Sequence, residues 1–315
     1  MPKVAVVGVV GRTNAGKSTL VNALVGEKVS IVSPVEQTTR NTIRGIVSDP
    51  RGQIVLLDTP GLHKAVGDLG RLMNRMARRS AAGTDVTCVV FDASDEPRLE
   101  DIGWMQRVAK EKPENVLFVL NKADKAPFYE TMFRDAWVEA QNTVAENSDE
   151  EDKTPPCEPV WVKSISTTEG GANRVLDALF DFALEGELLF DEDTVTDYPR
   201  RLAIADCIRE KFLARIHQEI PHELGVLVKS IDEKTSGGKE VWNIKVDVLV
   251  NRSSQKPIVI GRGAQTIKFV RKGAERDVSE MFGVKASIEV WVRVEPGWMK
   301  NPRILSDMGY MGELV

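Results

Sequence analysis

One stretch near the N-terminus has the residue types and spacing to bind phosphate. Residues 11–18 read Gly-Arg-Thr-Asn-Ala-Gly-Lys-Ser, with an apolar run before them and a helical pattern after them. The glycines let backbone N–H groups close around phosphate oxygens, and the helix N-terminus adds its positive end. Lys17 is expected to reach the β- and γ-phosphates, and the Ser18 hydroxyl to bind Mg²⁺. The sequence predicts a nucleoside triphosphate site formed by Gly11, Arg12, Thr13, Asn14, Ala15, Gly16, Lys17, Ser18 and Thr19.

A second motif follows an apolar run at residues 53–57, where the chain reads Asp58-Thr59-Pro60-Gly61. An aspartate at the end of a buried strand can serve Mg²⁺, usually through a water. A glycine behind it can offer its N–H to the γ-phosphate at close approach. At this distance after a phosphate loop, the motif predicts the rest of the phosphate site: Asp58, Thr59, Pro60, Gly61 and Leu62.

A third motif, Asn121-Lys122-Ala123-Asp124, indicates which base is bound. A carboxylate at Asp124 can accept hydrogen bonds from both the N1–H and the exocyclic amine of guanine. Adenine has neither donor, so the Asp124 carboxylate would be left without hydrogen-bond partners on the base. Asn121 can bond the base edge, and the Lys122 stem can cover the ring. With backbone N–H groups from a later polar loop, the predicted guanine site comprises Asn121, Lys122, Ala123, Asp124, Ser166 and Thr167.

The elements that must position these motifs alternate along residues 1–184. Strand patterns occur at 4–7, 43–48, 53–57, 86–91, 116–120 and 159–162, and helical patterns occur at 19–24, 99–111, 129–146 and 173–184. Near-continuous apolar runs such as 86–91 are typical of strands that are buried on both faces. We predict an α/β domain with a mostly parallel sheet and helices on both faces.

The second half has a different pattern and a different charge. An acidic segment at 185–199 ends in proline and is predicted to be a linker. Residues 200–300 then carry 19 Lys and Arg against 13 Asp and Glu, and the rest of the chain is acidic. A helix at 200–216, strands at 224–231 and 242–250, helices at 264–271 and 274–282, and a strand at 288–294 predict an α+β domain. Residues 301–315 are predicted to be a C-terminal tail.

Composition excludes several classes of protein. The three cysteines lie far apart and form no C-x-x-C pair, so neither a disulfide framework nor a zinc site is expected. No run approaches the roughly 20 apolar residues of a membrane span. The N-terminus lacks the pattern of a signal peptide, so a cytoplasmic location is expected.

The motifs of the first half, in this order, resemble those of translation-factor-like GTPases. The resemblance implies that Lys17, Thr39 and Gly61 are catalytic and that Ser18, Thr39 and Asp58 serve the metal. Leu62 stands where Ras-like enzymes carry the glutamine that orients water, so intrinsic hydrolysis is expected to be slow. Asn14 matches a residue that some relatives use to hold K⁺, which suggests potassium activation.

Residues 258–268 resemble the core of a KH domain of the prokaryotic (type II) topology, although Ala264 replaces the last glycine of the G-x-x-G loop. In such domains the loop clamps a short single-stranded RNA. Basic side chains on the following helix would attract its phosphates. The resemblance places RNA binding at Ile260, Gly261, Arg262, Gly263, Ala264, Lys268, Arg271 and Lys272.

The two halves together resemble a family of bacterial-type ribosome-assembly GTPases. The resemblance implies nucleotide-gated binding near the 3′ end of small-subunit ribosomal RNA within the 30S-type subunit. It also suggests a monomer with peripheral contact to the inner face of the cell membrane. Two alternatives stay open: a GTPase that acts on transfer RNA or another structured RNA, and an RNA-binding protein whose nucleotide domain is largely structural. An ATP-using phosphotransferase is disfavoured by Asp124.

Overall fold

The computed structural model describes residues 1–32, 41–60, 83–147, 158–216 and 220–310. These residues form two compact units, and the chain passes from the first to the second between Asp197 and Tyr198. Among the described helices, none has the length and apolar content needed to cross a membrane.

The first unit is built on one seven-stranded sheet. Its strands are β1 (Lys3–Val10), β2 (Ile43–Asp49), β3 (Gly52–Asp58), β4 (Val86–Asp92), β5 (Val116–Asn121), β6 (Val160–Lys163) and the short β7 (Leu184–Glu185). The order is β2-β3-β1-β4-β5-β6; β2 is antiparallel to β3, β7 is antiparallel to β1, and the other pairs are parallel. The carboxyl ends of the parallel strands therefore meet at one edge, where ligands bind in open α/β sheets.

Helices cover both faces of this sheet. They are α1 (Lys17–Val25), α2 (Leu99–Glu111), α3 (Glu130–Glu146) and α4 (Asn173–Phe182). α1 and α4 pack their apolar side chains in one core layer, which includes Leu20 and Leu179. α2 and α3 pack in a second layer, in which Phe118 of β5 contacts the ring of Trp137 edge to face. The predicted doubly covered, mostly parallel sheet is confirmed.

The segment predicted as a linker lies along the first unit. Gln53 of β3 accepts from the N–H groups of Leu189 and Phe190, each at 3.0 Å. The N–H of Ile46 donates to the carbonyl of Val195 at 2.9 Å, so residues 189–195 follow the β2–β3 edge. Hydrogen bonds that the backbone of this acidic stretch makes with the Gln53 side chain and the Ile46 N–H anchor it, even though it lacks an apolar pattern of its own.

The second unit has a three-stranded sheet and two main helices. Its elements are α5 (Arg200–Leu213), α6 (Ile220–Glu223), β8 (Gly225–Ser236), β9 (Lys239–Val250), α7 (Gln255–Ile260), α8 (Gln265–Phe282), β10 (Lys285–Val294) and α9 (Pro302–Asp307). The sheet order is β10-β9-β8, with β8 antiparallel and β10 parallel to β9. Ile208 of α5 and Val270 of α8 lie in the same apolar core as the inner face of this sheet.

The predicted break in the second helical region is wrong. Residues 265–282 form one continuous helix, and the other helix of this region is the earlier and shorter α7. Gly273 does not end α8; a Cβ at this position would lie 3.3 Å from the Lys211 stem, so the glycine allows α5 to approach closely. The order of helix, strand, strand, helix, helix and strand is nevertheless as expected for a KH domain.

Candidate functional site

The predicted phosphate loop lies between β1 and α1, at the carboxyl edge of the sheet. Two glycines make its shape possible. Gly11 has φ +146° and Gly16 has φ +98°, and a Cβ at either would lie within 2.3 Å of Val90 or Asn121. No other residue type fits these backbone positions without moving its neighbours. α1 begins directly after Gly16, so its free N–H groups face the loop.

Lys17 is buried within this loop, and its ammonium group donates to the carbonyl of Arg12 at 2.8 Å. Burial lowers the pKa of Lys17 to about 8, against the opposing effect of the Asp58 charge. A bound polyphosphate would supply the negative charge that favours the protonated form. The side chain thus has the position and electrostatics of a phosphate ligand.

Asp58 ends β3 beside the same loop and is fully buried. Its Oδ2 accepts from the Ser30 hydroxyl at 2.6 Å, whereas Oδ1 has no hydrogen-bond partner among the described residues. Burial raises the pKa of Asp58, while hydrogen bonds from Ser30 and Ser18 and the charge of Lys17 act to lower it. A buried carboxylate oxygen that lacks a donor, close to the Ser18 hydroxyl, fits the oxygen ligands that Mg²⁺ prefers. The residues present therefore suit a magnesium ion.

The turn after β3 is held by Thr59, which is buried and donates its hydroxyl hydrogen to the carbonyl of Val9 at 2.9 Å. Pro60 is the last described residue before a gap. The predicted catalytic and switch residues Thr39, Gly61 and Leu62 lie outside the described residues, and their roles stay predictions.

Arg12 is anchored by carboxylates that the sequence interpretation did not single out. Its side chain is only 8% exposed, with Nε 3.1 Å from Asp101 and Nη2 3.4 Å from Asp92. Burial raises the pKa of Asp101 to about 6. Asp92 ends β4 and Asp101 lies in the first turn of α2, so this cluster fixes the phosphate loop to two other elements. Only the position of Asp92 at a strand end hints at this in the sequence.

Asn121 joins three loops. Its amide nitrogen donates to the carbonyl of Ala15 at 3.0 Å, and its amide oxygen accepts from the Ser166 hydroxyl at 2.8 Å. The N–H of Ala123 also donates to the carbonyl of Ser164 at 3.1 Å. The structure thus brings the predicted phosphate loop, the Asn121–Asp124 loop and the Ser166 loop together. Both polar atoms of Asn121 have protein partners, so its contact with the base edge stays a prediction.

Lys122 lies across the phosphate loop, with its ammonium group 3.0 Å from the carbonyl of Asn14 and in contact with Asp92. Burial pushes the pKa of Asp92 up, but hydrogen bonds from Lys122 and Ser94 bring it below its ordinary value. Asp124, two residues later, and Thr167, in the loop that follows β6, are both exposed. Among the described residues, no donor contacts the Asp124 carboxylate, which leaves it accessible to a ligand.

In the second unit, the predicted RNA loop lies between α7 and α8. Gly261, Gly263 and Ala264 all have positive φ, at 77°, 58° and 60°. Ala264 thus adopts the left-handed conformation that a glycine would take at lower cost. The predicted basic residues follow on α8, where Lys268, Arg271 and Lys272 are exposed.

An open groove of about 700 Å³ lies against this loop. Its lining residues are Ser253, Lys256, Pro257, Ile258, Ile260, Gly261 and Arg262. Ile258 is 52% exposed on α7, an apolar position that the sequence interpretation assigned to no site. A groove whose lining combines apolar side chains with Lys256 and Arg262 suits unstacked bases with their phosphates.

Comparisons with known proteins agree with both units. A family model described as "50S ribosome-binding GTPase" matches residues 6–122, and a "KH domain" model matches residues 219–299. GTPase Era of Leuconostoc citreum (strain KM20) is 34% identical over 310 residues, covering 98% of this chain and 96% of the relative. GTPase Era of Ruminiclostridium cellulolyticum is 32% identical over 305 residues, covering 96% of each chain.

Two solved structures match over the full length. Era in complex with MgGDPNP and nucleotides 1506-1542 of 16S ribosomal RNA superposes with a TM-score of 0.83 at 31% identity, covering 98% of this chain and 99% of that one. An Era variant of Aquifex aeolicus bound to GDP·AlF4⁻ gives a TM-score of 0.83 at 30% identity with the same coverage. The identity to these relatives over nearly the whole chain shows that it belongs to the Era family of GTP-hydrolysing proteins.

Proposed function

We propose that the first unit binds and hydrolyses GTP at the site formed by the phosphate loop, Asp58 and the Asn121–Asp124 loop. The observation that carries this proposal is the single hydrogen-bonded network through Asn121, which fixes the predicted base site and the predicted phosphate site relative to each other. A rigid link of this kind suits a ligand that has both a base and a polyphosphate.

In this proposal different groups of the chain bind the phosphates, the metal ion and the base. N–H groups of residues 13–18 and the Lys17 ammonium neutralise charge on the phosphates as it develops during hydrolysis. Asp58 and Ser18 hold Mg²⁺, which when bound polarises the phosphate oxygens. Thr39 and Gly61 close on the γ-phosphate. Asp124 accepts the two donors on the edge of guanine and so excludes adenine.

Base selection tests this assignment. Asp124→Asn removes the second acceptor and adds a donor, so binding should shift from GTP towards xanthosine triphosphate, whose C2 oxygen accepts a hydrogen bond. Lys125→Gln, at an exposed neighbouring position, is the matched control and should leave the preference for GTP unchanged. An Asp124→Asn protein that still prefers GTP would contradict the assignment.

We propose two finer features of hydrolysis. Leu62 cannot orient water by hydrogen bonding, so intrinsic turnover is slow. Asn14 is exposed at φ 62° on the loop, where its side chain could help to hold K⁺ beside the phosphates. Turnover should be faster in potassium than in sodium salts at equal ionic strength, and equal rates would remove the potassium proposal.

We propose further that the second unit binds small-subunit ribosomal RNA near its 3′ end and assists assembly of the 30S-type subunit. The Era relative crystallised with nucleotides 1506-1542 of 16S ribosomal RNA, and the groove beside the Gly261–Ala264 loop, support this target. A labelled RNA with that sequence should bind more tightly than a scrambled RNA of equal length. Equal affinities would move the target to another RNA.

We propose that the protein acts as a monomer in the cytoplasm, with peripheral membrane contact as a separate property. Sedimentation at micromolar concentration should give one species of 34.9 kDa. Flotation with anionic vesicles tests membrane contact, and failure to float would remove that part of the proposal.

A further inference from the structure

α8 carries an exposed aromatic side chain close to the RNA loop. Phe269 is 40% exposed, and the guanidinium carbon of Arg215 lies 4.0 Å from the centre of its ring. Arg215 follows the end of α5, which runs antiparallel to α8 and packs the Lys211 stem against Gly273. The ring is therefore held by a cation on one side and open on part of its surface.

The same helix carries a row of cations that its own stability does not require. Lys268, Lys272 and Arg276 follow one another at intervals of four residues, which places like charges side by side and destabilises a helix. Arg276 lies 3.2 Å from Asp277. Among the described residues, no carboxylate lies within ion-pair distance of Lys268, Lys272 or Arg215. A bound polyanion would remove this repulsion.

We propose that the second unit binds one further nucleotide of single-stranded RNA beyond the segment clamped by the Gly261–Ala264 loop. This nucleotide binds to a surface that we call the Phe269 patch, which consists of Phe269, Arg215, Lys268 and Lys272. This inference rests on the RNA-binding function proposed above. The base stacks on the open part of the Phe269 ring, as bases of any identity do on aromatic side chains. The two lysines contact the adjoining phosphates.

The position of the patch sets the path of the RNA. Lys268 lies four residues after Ala264, which corresponds to about 6 Å along the helix axis. An RNA that leaves the loop along this face of α8 would reach the patch within that distance. Charge complementarity and continuity with the predicted RNA site both favour RNA as the occupant.

The length of the RNA distinguishes binding at the Phe269 patch from binding at the Gly261–Ala264 loop. We would titrate the full-length protein, bound to a GTP analogue, with an RNA of about four nucleotides, the length that a KH loop clamps, and with one about twice as long. Phe269→Ala should weaken binding of the longer RNA about ten-fold and leave the shorter RNA unchanged. Phe269→Tyr should retain the affinity, and Trp291→Ala, at an exposed aromatic on β10, is the matched control.

Two further measurements make the test specific. Removing the bases from the additional nucleotides of the longer RNA should weaken binding of the wild type about as much as Phe269→Ala does, and the two losses should not add. Lys272→Gln should reduce the dependence of log affinity on log salt by about 0.7. A common unfolding temperature for the variants would confirm that they are folded.

The outcomes distinguish the patch from the function on which it rests. If the wild type binds both RNAs tightly and Phe269→Ala binds them equally well, the patch is wrong and the RNA function stands. If the wild type binds neither RNA, the RNA function fails and the patch with it. If Phe269→Ala lowers only the binding of anionic vesicles, the patch contacts lipid and the proposal is overturned.

Discussion

Replacing Ala264 by glycine should stabilise the second unit. The residue sits at φ 60° and ψ 25°, directly before α8. The left-handed conformation costs a residue with a Cβ roughly 1–2 kcal/mol. Glycine removes that cost but adds roughly 0.4–1 kcal/mol of conformational entropy to the unfolded chain. The expected net gain is about 0.5–1 kcal/mol in the free energy of unfolding.

Amide hydrogen exchange in the full chain can measure this gain, because it reports the stability of each unit separately. Amides of β9 and β10 should exchange roughly two- to five-fold more slowly in Ala264→Gly than in the wild type. Ala214→Gly is the control: this exposed alanine caps α5 at φ −71° and ψ −13°, where glycine relieves no strain and should speed exchange. Unchanged or faster exchange in Ala264→Gly would refute the strain argument.

Three further predictions concern the nucleotide site. The pKa of Lys17 is about 8 in the free protein, and bound phosphate should raise it. Binding of Mg·GTP should therefore take up a proton above about pH 8, and the affinity should fall as the pH rises. Calorimetry that shows no proton uptake would contradict this. Asp92→Asn should lower the affinity for both GTP and GDP about ten-fold or more, because it removes the charge facing Arg12 and Lys122. A loss of affinity for only one of the nucleotides would contradict the idea that Asp92 positions these two side chains. Gly16→Ala should abolish nucleotide binding in a folded protein, since its Cβ would lie 2.2 Å from the Asn121 amide; Gly26→Ala, where nothing lies within 4 Å, should still bind nucleotide.

The motifs of the first unit could be predicted because their chemistry depends on short spacings. The phosphate loop requires glycines at two backbone positions, and a strand before it and a helix after it are visible as periodic patterns. The cluster around Arg12 could not be predicted in this way. Asp92 and Asp101 come from elements distant in sequence, and only the sheet order brings them to the loop.

In the second unit, too, local sequence patterns could be predicted and tertiary contacts could not. Alternating apolar residues predicted the long strands β9 and β10, whereas the single helix α8 was predicted as two helices, with Gly273 between them. A glycine within a helical pattern is consistent with the end of a helix and also with close packing of a second helix against the first. Only the tertiary contact with Lys211 distinguishes these two cases. The contact between Phe269 and Arg215 is of the same kind, since packing of α5 against α8 creates it.

We propose that nucleotide binding in the first unit is coupled to RNA binding in the second unit. This coupling can be tested by titrating the full-length protein with an RNA that has the sequence of the 3′ end of small-subunit ribosomal RNA, once with GDP bound and once with a non-hydrolysable GTP analogue bound. RNA should bind more tightly with the analogue than with GDP, and RNA should raise the ratio of analogue affinity to GDP affinity by the same factor, because the coupling is reciprocal. Equal RNA affinity in both nucleotide states would contradict it.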